Sequence, residues 1–96
     1  MWSDTVTIYC EIDGKVERTI VRNCRFEPEM EISSNILGDG RQEKCFLAVP
    51  AGVELRPGDR VAAGEGPDLP STDAVRLTTV RPRYLHGSLH HTEALG

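Results

Sequence analysis

The 96-residue chain suffices for one domain with a thin core, because a protein of this size hides only about 60 to 65 per cent of its unfolded surface on folding. Hydrophobic residues at 39% and charged residues at 27% argue against disorder, and no apolar run approaches the roughly 18 residues of a membrane span. The net charge of −4 divides into −6 over residues 1–75 and +2 over residues 76–96, a distribution unsuited to general phosphate-backbone binding but able to set a basic tail against an acidic neighbour.

The start Met1-Trp2-Ser3-Asp4 lacks the basic and apolar regions of a signal peptide, so a soluble protein made and kept in the cytoplasm is expected. Residues 5–12 alternate, with Val6, Ile8, Cys10 and Ile12 on one side and Thr5, Thr7 and Tyr9 on the other, which predicts a half-buried strand. Asp13-Gly14 supplies the positive-φ residues of a tight hairpin. A second strand then follows from about Lys15 to Val21, rich in β-branched side chains. The alternation shifts between Ile20-Val21 and Cys24-Arg25-Phe26, as a bulge requires, and the register there stays open.

Residues 28–42 read as a loop, opened by Pro28 and punctuated by Ser33-Ser34-Asn35 and Gly38-Asp39-Gly40, with a helical turn near 33–37 compatible with the pattern. Cys45, Leu47 and Val49 alternate with Phe46 and Ala48 before Pro50, both faces being apolar, which predicts a central strand. Arg56-Pro57-Gly58-Asp59 matches a type II turn, with Val53 and Leu55 before it and Val61 and Ala63 after it. Residues 64–74 read as a protruding loop, 75–80 as a strand, and 84–96 as a C-terminal extension with a ragged strand from Leu89 to Leu95. Without repeats or sustained helical periodicity, the fold class is all-β, a small antiparallel barrel or sandwich.

Three groupings carry possible chemistry. His86, His90 and His91 are close enough to ligate zinc or nickel if the chain folds back, but on a regular strand His90 and His91 point to opposite faces, and Glu93 alone completes no ligand set. An interface role for this segment, with Arg81, Arg83, Tyr84, His90, His91 and Glu93 as contact residues, outweighs the metal reading. Cys10, Cys24 and Cys45 form no Cys-x-x-Cys pair and sit in strand patterns, so they read as buried structural thiols rather than nucleophiles, disulfides or zinc ligands. Glu27, Glu29 and Glu31 lie on one face of an extended segment, where a solvated edge outweighs a cation site. Gly38-Asp39-Gly40 and Gly64-Glu65-Gly66 lack the Lys-Ser/Thr of a phosphate loop, and the five aromatics do not interleave with basic residues as a single-strand-binding face would. No catalytic grouping, cofactor site or metal site is therefore expected.

Four stretches in order carry a resemblance: Thr5-Val6-Thr7-Ile8-Tyr9; Arg18-Thr19-Ile20-Val21-Arg22-Asn23-Cys24-Arg25-Phe26; Pro57-Gly58-Asp59-Arg60-Val61-Ala62-Ala63-Gly64; and Gly87-Ser88-Leu89-His90-His91-Thr92-Glu93-Ala94-Leu95-Gly96. Together they resemble a family of small phage and prophage proteins encoded among head and tail genes, minor capsid or head-tail connection proteins. Thr92 stands where that family usually has Trp, and Asn23 where it usually has Gly. The resemblance implies a head-completion or stopper-like barrel that forms a ring of copies between a portal adaptor and the tail or tail terminator. It further implies residence in the bacterial host cytoplasm and then in the virion neck, with DNA passing nearby and no specific nucleic-acid or membrane binding. The alternatives are a free-standing barrel that binds a peptide or small ligand, and a metal-dependent protein using the three histidines.

Overall fold

The computed structural model describes residues 2–28, 45–70, 72 and 74–96. Among them are seven strands and no helix: β1 Asp4–Ile12, β2 Lys15–Glu27, β3 Phe46–Pro50, β4 Arg60–Ala63, β5 Val75–Arg76, β6 Thr79–Leu85 and β7 Ser88–Leu95. All pairings are antiparallel, in the order β5-β4-β1-β2-β3-β7-β6, and the sheet curls into a half-barrel. The all-β expectation holds. The loop predicted over 28–42 lies outside the described residues except for Pro28, as do Glu29 and Glu31 of the acidic row.

Asp13 (φ 52°) and Gly14 (φ 78°) both take positive φ and close the β1–β2 hairpin as their sequence predicts. The open register in β2 resolves into a bulge. Val6 pairs with Val21 but Asp4 with Cys24, so β2 carries one extra residue at Arg22-Asn23. The bulge bends this 13-residue strand, letting its first part pair with β1 and its last three residues with β3. β3 is central, between β2 and β7, with Leu47, Ala48 and Val49 buried. Pro57 and Gly58 (φ 99°) form the predicted turn, closed by the Asp59 N–H donating to Arg56 O at 3.1 Å.

The strand predicted over 75–80 is broken. Val75 and Arg76 pair with β4, whereas Thr79 onward pairs with β7, so Leu77 and Thr78 carry the chain from one side of the half-barrel to the other. Leu77 is fully buried, its N–H donates to Asp59 O at 2.7 Å, and Gly58 N–H donates to Leu77 O at 2.7 Å. The two end strands of the sheet, β5 and β6, are thereby joined by two residues of chain.

The core is aliphatic and sulfur-containing: Val6, Ile8, Val21, Cys24, Cys45, Leu47, Val49, Val61, Leu77 and Ala94, with Phe26, Val53, Leu55, Val75 and Val80 packed around it. Cys24 and Cys45 are buried as expected, whereas Cys10 is only half-buried.

Residues 64–67 are tied by hydrogen bonds to the outer face of β1, and Asp68 and Leu69 beyond them are exposed. Thr7 Oγ1 donates to Gly64 O and accepts from Gly66 N, each at 2.7 Å, and Tyr9 Oη donates to Pro67 O at 2.7 Å. Arg18 reaches Gly66 O, and Arg22 pairs with Glu65 at 2.9 Å. Thr7 and Tyr9, polar members of an alternating strand, are consequently buried and fully hydrogen-bonded. Strand alternation alone cannot reveal this, because the cover comes from residues almost sixty positions away.

Candidate interaction surface

β6 and β7 form a hairpin whose outer half leaves the sheet. β7 pairs with β3 only from His91 to Leu95, whereas its pairing with β6 runs on to Ser88. Every residue from Arg81 to His90 is exposed. The C-terminal extension expected over 84–96 is thus two things. Its last part, with Thr92 and Ala94 buried, is an integral strand, and its first part is the tip of a projecting arm. The arm turns on His86 (φ 52°) and Gly87 (φ 80°), the same both-positive geometry as Asp13-Gly14. Histidine tolerates the left-handed region better than most side chains, which is why a His-Gly pair can replace the commoner Asn-Gly or Asp-Gly.

A bulge also reverses the expectation that His90 and His91 face apart. Arg83 pairs with His91 but Tyr84 with Leu89, so His90 is the extra residue and both imidazoles share the Arg83 side. Their Nδ1 atoms are 2.8 Å apart, and the rings meet edge to face at 5.0 Å. His91 Nε2 lies 3.0 Å from Glu93 Oε2, and Arg83 Nε donates to Glu93 Oε1 at 2.8 Å. A carboxylate only accepts, so with neutral rings His91 donates from Nε2 and its Nδ1 accepts from His90 Nδ1–H. The His91 hydrogen bond first, and that of Arg83 second, hold the Glu93 carboxyl below its ordinary pKa. Trp2 packs edge-on against His91 at 5.3 Å. His86 sits at the turn, outside this chain of contacts. Among the described residues no three His, Cys, Asp or Glu side chains converge as a metal site.

The arm has two unlike faces. Arg81, Arg83, His90, His91 and Glu93 lie on one. The other continues from core-packed Val80 through Pro82 to Tyr84, with Leu89 across from Tyr84. Tyr84 is 66% exposed, Leu85 54% and Leu89 40%, large apolar side chains concentrated on one hairpin. Arg81 is directly across from Glu93, yet that carboxylate is engaged by Arg83 and His91, and Arg81 makes no ion pair or hydrogen bond among the described residues.

A shallow groove of about 290 Å3 lies where the core side of β1–β2 meets the 52–59 segment. Ile8, Cys10, Ile12 and Val53 supply its apolar lining, and Glu17, Glu54 and Asp59 its charge, with Arg56 beside them. Asp59 is buried and accepts the Arg56 backbone N–H at 2.9 Å, which makes its carboxylate part of the turn. Burial, then a hydrogen bond to Asp59, raises the Cys10 pKa, and burial lifts Cys24 and Cys45 to about 11. All three therefore stay thiols at neutral pH, the form least suited to nucleophilic attack.

The sequence placed four of the six contact candidates, Tyr84, His90, His91 and Glu93, on the expected C-terminal extension, and the structure gathers all six on the β6–β7 hairpin. Leu85, Leu89 and Pro82 were missed, because a proline between two arginines does not read as a strand. Comparison with known proteins matches the chain to no family model, no curated protein and no solved structure.

Proposed function

We propose that this chain is a non-enzymatic structural subunit of a tailed phage or prophage virion, a head-tail connection protein of the head-completion or stopper type. It acts by assembling with copies of itself into a ring between the portal adaptor and the tail or tail terminator. The observation that carries the reading is the β6–β7 arm, a two-faced hairpin that projects beyond the sheet with exposed Tyr84, Leu85 and Leu89 and an Arg81 that has no ion pair among the described residues. Apolar area of this kind on a small domain is stabilised when a partner covers it. The ordered sequence stretches that resemble connection proteins give the partner class, and the net charge of −4 suits a wall past which DNA moves without adhering. The site of action is then the bacterial cytoplasm during assembly and the virion neck afterwards.

The test is co-assembly. Purified protein should bind the adaptor or tail-terminator proteins encoded beside it, and Tyr84→Ala should weaken that binding while leaving the circular dichroism spectrum intact. Absence of any affinity for those proteins, or a gene far from portal and tail genes, would sink the proposal. A second reading, a module binding a peptide or small ligand, is favoured by the groove beside Glu17 and Val53. Chemical-shift changes confined to that groove on adding a peptide library, with no binding to neck proteins, would select it.

A further inference from the structure

Strand pairing puts two arginines side by side on the outer face of the sheet. Arg60 stands directly opposite Arg76 in the β4–β5 ladder and opposite Tyr9 in the β1–β4 ladder, so the three side chains share the face that carries Thr7. Like charges directly opposite one another destabilise a ladder. Yet neither guanidinium makes a hydrogen bond or an ion pair among the described residues. Arg18, across from Tyr9 on its other side, is by contrast committed to Gly66 O and Asp68. Arg60 and Arg76 border a depression of about 220 Å3, with Tyr9, Val16 and Pro70 in its walls and Glu11 as its one acidic lining residue. Gly58 helps to keep it open, since Arg76 Nη2 lies 3.9 Å from the point where a Cβ on that residue would stand.

We propose that this depression is an anion site that takes a single carboxylate group, held between the guanidiniums of Arg60 and Arg76. Each guanidinium offers a planar fork of N–H donors that matches the two oxygens of a carboxylate, and a carboxylate between the two forks offsets the repulsion between them. The local charge selects the ligand. Two guanidiniums against the carboxylate of Glu11 leave a net charge of +1, which a monoanion neutralises, whereas a phosphate dianion brings one negative charge too many beside Glu11. The same acidic neighbour, on a chain of net charge −4, sets the site against a DNA backbone. Val16 and Pro70 suit the methylene carbons that carry a carboxylate, either in a glutamate side chain of a partner protein or in a small aliphatic acid. The site uses no residue of β6 or β7, and it stands independently of the ring-subunit reading.

Nitrogen NMR of the arginine Nε–H groups tests it on the whole chain at low ionic strength. The probes are acetate, a blocked peptide carrying one glutamate, inorganic phosphate and a short DNA duplex. Arg81, exposed and without an ion pair among the described residues, is the internal control for unspecific ion pairing. Arg60 and Arg76 should respond to acetate and to the peptide at concentrations about tenfold lower than Arg81 does. A stronger response to the peptide than to acetate identifies a protein carboxylate as the ligand, and an equal or weaker one a free acid. Arg60→Gln and Arg76→Gln should each weaken carboxylate binding about fivefold, read at the remaining arginine, without lowering the urea midpoint. Glu11→Gln should strengthen phosphate binding about fivefold, because the charge that opposes a dianion is gone. Responses at Arg60 and Arg76 no stronger than at Arg81 overturn the site. Phosphate or DNA bound more tightly than either carboxylate by the wild-type protein, or phosphate binding indifferent to Glu11→Gln, overturns the carboxylate assignment. Should both arginine substitutions lower the urea midpoint and leave binding unchanged, the two residues are structural and the proposal falls.

Discussion

Gly66 illustrates how much a single position can decide. A Cβ there would sit 2.2 Å from Tyr9 Oη, whose hydroxyl is held by Pro67 O, so an added methyl must push the ring off its bond. Gly66→Ala should therefore destabilise the protein by about 1–3 kcal/mol, read as a lower urea midpoint with unchanged slope. Tyr9→Phe, which leaves the Pro67 carbonyl to find water, should cost about 1 kcal/mol by the same measurement. Leu77 marks the other sensitive place. Fully buried at the corner between β5 and β6, it should cost about 2–5 kcal/mol when cut to alanine. A loss under 0.5 kcal/mol would mean that the corner is not packed as described. Neither residue stands out in the sequence: Gly66 lies in a glycine-rich loop, and Leu77 reads as an ordinary strand residue.

At the scale of the element, the β6–β7 arm is held at its root by Glu93. Its carboxyl pKa lies below the ordinary 4.5, chiefly through the His91 hydrogen bond and then through Arg83. The stabilisation it contributes is present above 4.5 and is lost as pH falls through the lowered folded value. Amide exchange in β6 and β7 should accordingly accelerate, beyond its intrinsic pH dependence, as pH drops below that value, and Glu93→Gln should remove the extra acceleration. The elements legible in the sequence were those with local signatures: the Asp13-Gly14 hairpin, apolar β3, and the Pro57-Gly58 turn. The β2 bulge showed as a broken alternation. β6 stayed illegible because Pro82 forbids an interior strand and gives no sign that the strand lies at an edge. The cover over Thr7 and Tyr9, and the meeting of His90 with His91, depend on long-range folding and on one extra residue in a ladder, which side-chain alternation cannot register.

For the whole molecule, the joining of β5 to β6 through Leu77 and Thr78 determines how much sheet edge is offered to other chains. β5 has two residues, and β6, the longer end strand, carries Pro82 between Arg81 and Arg83. A proline contributes no ladder donor, and flanking cations repel an identical strand. Pro82→Val with Arg81→Thr should hence promote fibrillar aggregation, followed by thioflavin fluorescence and light scattering during incubation at high concentration. No rise over wild type would show that the edge is guarded by something else. A short, proline-marked and charged edge thus separates two kinds of growth: the folded protein is protected from open-ended strand stacking, and the hairpin beside that edge remains able to engage a neighbour. Crowding many copies together then need not end in amyloid.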